Sequence, residues 1–220
     1  METLTKMETK IINGDLIADD YFINSNLEVS GNINIKNSFR ASGNVKVVGS
    51  IIVGGNIKTG GSIETESYIN VGRSIETVGY IEADDYIKSD WYIKTGKYIS
   101  TNKDIEVGDY IQSDWFIEAG GFINAGYYIE ANGGYIKSGK FIKAVDYIKS
   151  SGYIESIGYI KSSDYIQAGL YIQTNDYIEA GNNYFIFAGL CCEKDQIKTH
   201  GFIKAKGIKS DIGFGYKILE

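Results

Sequence analysis

The amino-acid sequence predicts an all-β fold, a three-sided β-helix (β-solenoid) of six-residue repeats with about 18 residues per coil. An aliphatic residue or Phe recurs every six positions through most of the chain, and a small or β-branched residue follows two positions later. Residues i and i+2 of a strand face the same side, so each hexad is expected to be a short strand that points both residues into a core. A helix would instead need apolar residues at i, i+3 and i+4.

The predicted core positions keep one six-residue step, with a single residue inserted near Gly133. They are Leu27, Ile33, Phe39, Val45, Ile51, Ile57, Ile63, Ile69, Ile75, Ile81, Ile87, Ile93, Ile99, Ile105, Ile111, Ile117, Ile123, Ile129, Ile136, Ile142, Ile148, Ile154, Ile160, Ile166, Ile172 and Ile178. Ile11, Ile17 and Ile23 keep the same step before a four-residue jump to Leu27, and Ile197 and Ile203 keep it after a break. Pairs drawn mostly from Gly, Asp, Ser, Asn and Lys separate the hexads and suit tight corners.

The charge pattern predicts how many hexads form one coil. The residue after each core aliphatic is expected to point outward and is usually charged. In a solenoid it lies beside its equivalent one coil away, at about 4.8 Å, where like charges are unfavourable. Opposite charges outnumber like charges only at a spacing of three hexads, as for Glu76 and Lys94 or Glu130 and Lys149. Three hexads per coil give a prism with three sides.

The repeat divides the chain into three regions. Residues 1–26 are predicted to form an N-terminal cap and the first coil, residues 27–180 the regular solenoid, and residues 181–220 an irregular C-terminal cap. The ends of a solenoid expose strand edges that can pair with another chain. Effective caps would give a discrete particle, whereas an imperfect cap would allow polymerisation.

The stretch from Gly43 to Gly79, GNVKVVGSIIVGGNIKTGGSIETESYINVGRSIETVG, resembles the bactofilins, the polymer-forming cytoskeletal proteins of bacteria. The resemblance implies a three-sided β-helix that assembles end to end into filaments without nucleotide. The second half of this chain differs from that family in its many tyrosines, and the chain lacks the proline-bearing polar tails of the family.

The position before each core aliphatic changes character along the chain. It is Asn or Ser in the first hexads and Tyr or Phe in the later ones, and most of the 18 tyrosines occupy it. Three hexads per coil would stack these rings into ladders along the prism. Such ladders would shield and stabilise the sheets, or they would form an adhesive surface, because tyrosine is enriched at protein interfaces.

Two tryptophans stand at corner positions, outside the predicted core, where a tryptophan is more exposed than it would be in the core. They are the preferred contact residues of a candidate partner surface, although packing on a neighbouring coil is the alternative. The surface comprises Trp91, Trp115, Tyr86, Tyr92, Tyr98 and Tyr110.

Composition restricts the classes of partner and the compartment. The net charge is −6, so the basic excess of a general phosphate-backbone binder is missing and direct nucleic-acid binding is not expected. Neither a signal peptide nor a run of about 20 apolar residues is present, so no membrane partner is expected. Cys191 and Cys192 are adjacent and make no disulfide framework. A cytoplasmic location is therefore expected.

Signals of enzymatic chemistry are weak. Acyltransferases of hexad-repeat architecture use a catalytic histidine, and the only histidine here, His200, lies in the irregular tail. Cys191, Cys192 and His200 lack the C-x₂-C spacing and the fourth ligand of a zinc site. No phosphate-binding loop or calcium repeat occurs. We expect a protein that is not an enzyme, with no catalytic residue, metal site or cofactor.

Three functions remain open from the sequence. The first is a structural scaffold or self-assembling protein, with protein as its partner and homo-oligomers as one form. The second is a protein-interaction inhibitor, encoded by a phage or mobile element, that blocks a host nuclease or defence complex through its acidic, Tyr- and Trp-rich faces. The third is a surface fibre or carbohydrate-binding module.

Overall fold

A computed structural model describes residues 7–182, 184–192 and 200–219 of the 220-residue chain. Predicted core position Ile197 lies outside the described residues, as do parts of both predicted caps. In this part of the chain, no helix is long and apolar enough to cross a membrane.

The described residues form 34 short strands. The first twelve are β1 (Thr9–Ile12), β2 (Leu16–Ala18), β3 (Tyr21–Ile23), β4 (Asn26–Val29), β5 (Ile33–Ile35), β6 (Phe39–Ala41), β7 (Val45–Val47), β8 (Ile51–Val53), β9 (Ile57–Thr59), β10 (Ile63–Thr65), β11 (Ile69–Val71) and β12 (Ile75–Thr77). The next twelve are β13 (Ile81–Ala83), β14 (Ile87–Ser89), β15 (Ile93–Thr95), β16 (Ile99–Thr101), β17 (Ile105–Val107), β18 (Ile111–Ser113), β19 (Ile117–Ala119), β20 (Ile123–Ala125), β21 (Ile129–Ala131), β22 (Ile136–Ser138), β23 (Ile142–Ala144) and β24 (Ile148–Ser150). The last ten are β25 (Ile154–Ser156), β26 (Ile160–Lys161), β27 (Ile166–Ala168), β28 (Ile172–Thr174), β29 (Tyr177–Glu179), β30 (Ile186–Phe187), β31 (Phe202–Ala205), β32 (Gly207–Ile208), β33 (Ile212–Phe214) and β34 (Tyr216–Leu219).

Every third strand pairs in parallel, so the chain winds as a three-sided β-solenoid. Twelve strands from β1 to β34 form one sheet, eleven from β2 to β32 a second and eleven from β3 to β33 a third. We call their outer surfaces face A, face B and face C. Ile75 pairs with Ile93, 18 residues later, which confirms three hexads per coil. The residue inserted near Gly133 lengthens one coil, so that Ile117 pairs with Ile136.

Aliphatic columns fill the core, as the six-residue step predicts. Isoleucines such as Ile105 and Ile117 have no exposed surface. The second inward position of most strands holds a smaller residue. Where this is Ser or Thr, its hydroxyl in most cases donates to a corner carbonyl, although the buried Thr77 hydroxyl has no hydrogen-bond partner among the described residues. The Ser138 hydroxyl, for example, donates to the carbonyl oxygen of Gly121 at 2.8 Å. These bonds satisfy hydroxyl groups that would otherwise be costly to bury.

Stacked aromatic rings run along the second half of each sheet, at the position before the strand. Face A carries the longest ladder, in which the Phe116 ring lies 4.7 Å from that of Tyr98 and 4.8 Å from that of Tyr135. These spacings match the strand separation, so the predicted ladders are confirmed. The rings are half-buried, because each one covers the next.

Polar ladders occupy the same position in the first coils. The main-chain N–H of Ser62 donates to Asn44 Oδ1 at 2.8 Å, and the N–H of Asn44 donates to Asn26 Oδ1 at 2.8 Å. Each small side chain thus bonds the backbone of the next coil. The surface beside the strands is lower here than along the aromatic ladders, because Asn and Ser project less than Tyr.

The first coil departs from the predicted register. Ile11 and Ile17 point outward and are 64% and 74% exposed, whereas the six-residue step predicted them in the core. Leu16 pairs with Ile33 after 17 residues, whereas Tyr21 pairs with Phe39 after 18. The inward positions Leu16 and Tyr21 are therefore five residues apart, and a six-residue step back from Ile23 gives the wrong face. Lys10, which aligns with Leu27, takes the inward register at this end of the face A sheet.

Candidate functional site

Trp91 and Trp115 stand on opposite edges of face C. Trp91 occupies the corner before β15, and Trp115 occupies the corner after β18. Strands β15 and β18 are neighbours in this sheet, so the two indoles lie on adjacent coils. Each is 54% exposed, which is unusual for the largest apolar side chain. We call Trp91, Lys94, Gln112 and Trp115 the face C strip.

The two indoles have different surroundings. The Arg73 guanidinium, one coil earlier in the same corner, lies 5.6 Å from the Trp91 ring centroid. Trp115 stands between Lys97 and a glycine pair, and a methyl group at Gly134 would lie 2.9 Å from the Trp115 carbonyl oxygen. The backbone of the next coil therefore passes close to Trp115 without a side chain that could cover its ring.

Tyr92 and Tyr110 continue the same edge of face C. Their ring centroids are 4.9 Å apart and the rings are parallel. Burial raises the pKa of Tyr110 above its ordinary value, and its hydroxyl, like that of an ordinary tyrosine, is protonated and can donate at neutral pH. The structure therefore brings Trp91, Tyr92 and Tyr110 together, with Trp115 across the strip.

Tyr98 and Tyr86 lie on other faces. Tyr98 belongs to the face A ladder, where its hydroxyl donates to a Glu82 carboxylate oxygen at 3.1 Å. Burial, together with this hydrogen bond, raises the pKa of Tyr98 to about 12. Tyr86 stacks on Tyr68 on face B at 4.8 Å. Neither ring lies on the face C strip, although Tyr98 flanks the corner that carries Trp115.

On the N-terminal side of the strip, face C contains a groove that sequence reasoning missed. The aromatic ladder ends at Tyr92, and the corresponding positions in the three preceding coils are Ser74, Asn56 and Ser38. Two adjoining depressions of about 350 Å³ and about 660 Å³ result, and they share Arg40 and Lys58. We call this the face C groove. The switch from Asn and Ser to Tyr was visible in the sequence and could have indicated it.

The groove and the strip form a basic region of an acidic chain. The outward row on face C reads Arg40, Lys58, Glu76 and Lys94. The Lys58 ammonium pairs with the Glu76 carboxylate at 3.2 Å. Arg40 and Lys94 make no ion pair with any described residue, and these four residues of the row carry three positive charges and one negative charge.

Face A has the opposite character. Glu64 and Glu82 follow one another in its outward row, and Lys46 pairs with Glu64 at 2.9 Å. Hydroxyl groups of this face donate to its glutamates, as Tyr135 does to Glu118 at 2.7 Å, and the same holds for Tyr80, Tyr98 and Tyr171. Faces A and C thus present different chemistry to a partner.

The chain matches no protein-family model, no curated protein and no solved structure in the comparisons made. The geometry therefore carries the functional argument. Within residues 7–182, 184–192 and 200–219, no group of three or more His, Cys, Asp or Glu side chains is placed to hold a metal ion.

Proposed function

We propose that this protein is a non-enzymatic β-solenoid that acts as a discrete rigid rod and binds a partner protein through face C. The observation that carries the proposal is the pair of half-exposed tryptophans, Trp91 and Trp115, on the two edges of one face. Exposed tryptophans on a rigid surface are typical of the residues that dominate protein–protein binding energy.

The rigidity of the scaffold supports this role. The strip is built on β15 and β18, whose inward residues Ile93 and Ile111 are fully buried. The corners on both sides are tied to the next coil by main-chain hydrogen bonds, such as that from the Trp115 N–H to the Lys97 carbonyl at 3.1 Å. A surface that is already ordered loses little entropy on binding.

The ends of the rod favour a discrete particle. Lys10 is aligned with the buried Leu27 at the N-terminal end of the face A sheet. Lys217 is aligned with the buried Ile203 at the other end. Inward-pointing charges are one way in which proteins prevent strand edges from pairing with another copy.

A second candidate is the self-assembling scaffold that the resemblance to bactofilins implies. One observation favours it: the outward residues of the first coil are apolar on all three sides. Ile11, Ile17 and Phe22 are 64%, 74% and 62% exposed. End-to-end assembly would bring this apolar coil close to a neighbouring copy.

Occlusion of the partner is the simplest consequence of binding by a non-enzymatic rod of the kind proposed. Such a rod would act as an inhibitor by covering a functional surface of the partner, and a phage- or mobile-element-encoded blocker of a host nuclease or defence complex is one instance.

Affinity capture with quantitative mass spectrometry tests the proposal. Wild-type protein is compared with Trp91→Ala, Trp115→Ala and the matched control Ile157→Ala, an exposed corner residue away from face C. Each tryptophan variant should bind the captured partner about 30-fold more weakly, the loss expected for an interface hot spot. A partner retained equally by all variants would contradict the proposed role of face C.

A further inference from the structure

The face C groove has the shape to receive an extended chain that runs along the rod axis. Ser38, Asn56 and Ser74 form one wall, and Arg40, Lys58 and Glu76 form the floor. The second depression continues across the face to Val78, which is 68% exposed. A groove that crosses three coils and has small side chains on one wall suits a strand-like segment better than a compact ligand.

Its charges select an anionic occupant. Lys58 and Glu76 neutralise each other across 3.2 Å. Among the described residues, Arg40 in the groove makes no ion pair. Lys94 makes none either, and it lies one coil beyond Glu76 in the face C strip, where it lines a neighbouring depression with Asp114. The nearby acidic side chain of Asp20 is turned to the backbone, where its carboxylate accepts the N–H of Ser38 at 3.0 Å. The groove is thus locally positive on a chain whose net charge is −6.

The spacing of the cations sets the pattern of the occupant. Arg40 and Lys94 are three coils apart, which is about 14 Å at the strand separation. An extended peptide covers this distance in about four residues. Carboxylates at i and i+4 of such a segment would reach both cations.

Aromatic residues at the two ends specify the flanks. Phe22, which is 62% exposed, lies at the end of the groove nearer the N-terminus. Trp91 and Tyr92 close the end nearer the C-terminus. These rings would cover apolar side chains that flank the two carboxylates, and a peptide can supply such side chains between its charges.

We infer that the face C groove, together with Lys94 of the adjoining face C strip, binds an extended acidic segment of a protein, with carboxylates at i and i+4 on Arg40 and Lys94 and apolar residues against Phe22 and Trp91. The inference rests on the proposed function of face C and names the chemistry of the partner. It separates binding into two parts, since the groove would recognise the acidic segment while Trp115 contacts the body of the partner.

Fluorescence anisotropy with synthetic probes tests the inference. The probe is a peptide with Glu at every fourth position and Leu on both flanks. A Gln-substituted peptide and a single-stranded oligonucleotide of equal charge serve as comparisons. The Glu peptide should bind more tightly at low salt than at high salt, and the Gln peptide should bind at least about tenfold more weakly.

Variants assign the binding to the groove. Arg40→Gln and Lys94→Gln should each weaken Glu-peptide binding at least about tenfold, whereas Lys94→Arg should retain it. Lys143→Gln removes the same charge from the outward row of face B, where Lys143 has no ion pair among the described residues, and should leave binding unchanged.

Three results would overturn the inference: no binding of the Glu peptide at low salt, equal weakening by Lys143→Gln, or tighter binding of the oligonucleotide through Arg40 and Lys94. Trp115→Ala should retain peptide binding. If the Glu peptide does not bind while capture of a partner still depends on Trp91 and Trp115, only this inference is overturned and the proposed function stands.

Discussion

Replacing the lysines at the two ends of the core should allow the rod, which we propose to be discrete, to stack end to end. All strands of the solenoid are parallel. In a head-to-tail stack, β34 of one copy would therefore lie against β1 of the next. Lys217 and Lys10 would then meet in the core column that contains Leu27 and Ile203.

The structure gives the size of this effect. Leu27 and Ile203 have no exposed surface, so a lysine covered in the same column would lose its water. Taking an ammonium group out of water costs several kcal/mol even after relaxation, and each 1.4 kcal/mol is a factor of about ten in an association constant. Two such lysines should weaken stacking by at least about a thousandfold, and Leu at both positions should remove that penalty.

Size-exclusion chromatography with light scattering over a range of concentrations measures the change. The wild-type protein should keep a mass of 24.3 kDa, whereas Lys10→Leu/Lys217→Leu should grow in mass with concentration and show rods joined at their ends in negative-stain micrographs. Lys36→Leu, which replaces a lysine that is 77% exposed at a corner, should remain a monomer. A double variant that stays monomeric at every concentration would refute the reasoning.

Three further predictions concern the stability of the rod. Phe116→Ala removes a ring stacked on both sides and should lower the free energy of unfolding, measured by urea denaturation, by about 2 kcal/mol. Phe22→Ala, which removes an exposed ring, should change this free energy little. Equal effects of the two variants would contradict a stabilising role of the ladder. Gly61→Ala places a methyl group 2.6 Å from the Asn44 main-chain nitrogen and should lower the midpoint temperature of thermal unfolding. An unchanged midpoint temperature would show that stability does not depend on the close approach of the coils at this glycine. Burial raises the pKa of Tyr128 to about 12 from 10.0, so the folded state holds this proton more tightly than the unfolded state. The contribution of this proton to stability should be complete below pH 10 and lost as the pH rises through about 12. A free energy of unfolding that stays constant across that interval would contradict this prediction.

The regular part of the fold could be predicted because each hexad has the same order of inward apolar, outward charged and corner residues. Charge alternation between Glu76 and Lys94 indicated the length of the coil, and the pairing of Ile75 with Ile93 confirms it. The same periodicity failed in the first coil. Ile11 and Ile17 keep a six-residue step with Ile23 while pointing outward, since the inward positions Leu16 and Tyr21 are only five residues apart.

The candidate site could be predicted only in part. The sequence singled out Trp91 and Trp115 as corner residues, and counting three corners per coil places them on the two sides of one face. Tyr98 and Tyr86 were grouped with them by residue type, although their positions in the coil assign them to faces A and B. The groove depends on the height difference between Ser74 and Tyr92, which becomes apparent only when the coils are stacked.

Photo-crosslinking from the three faces at one level of the rod tests the central claim most directly. Ser100, Glu106 and Gln112 are the outward residues of β16, β17 and β18, which belong to faces A, B and C of a single coil. A photoreactive amino acid is placed at each position in turn, and crosslinked partner is measured. The account predicts that the partner crosslinks from position 112 and not from positions 100 or 106. Equal crosslinking from all three faces, or crosslinking from face A or face B alone, would contradict it.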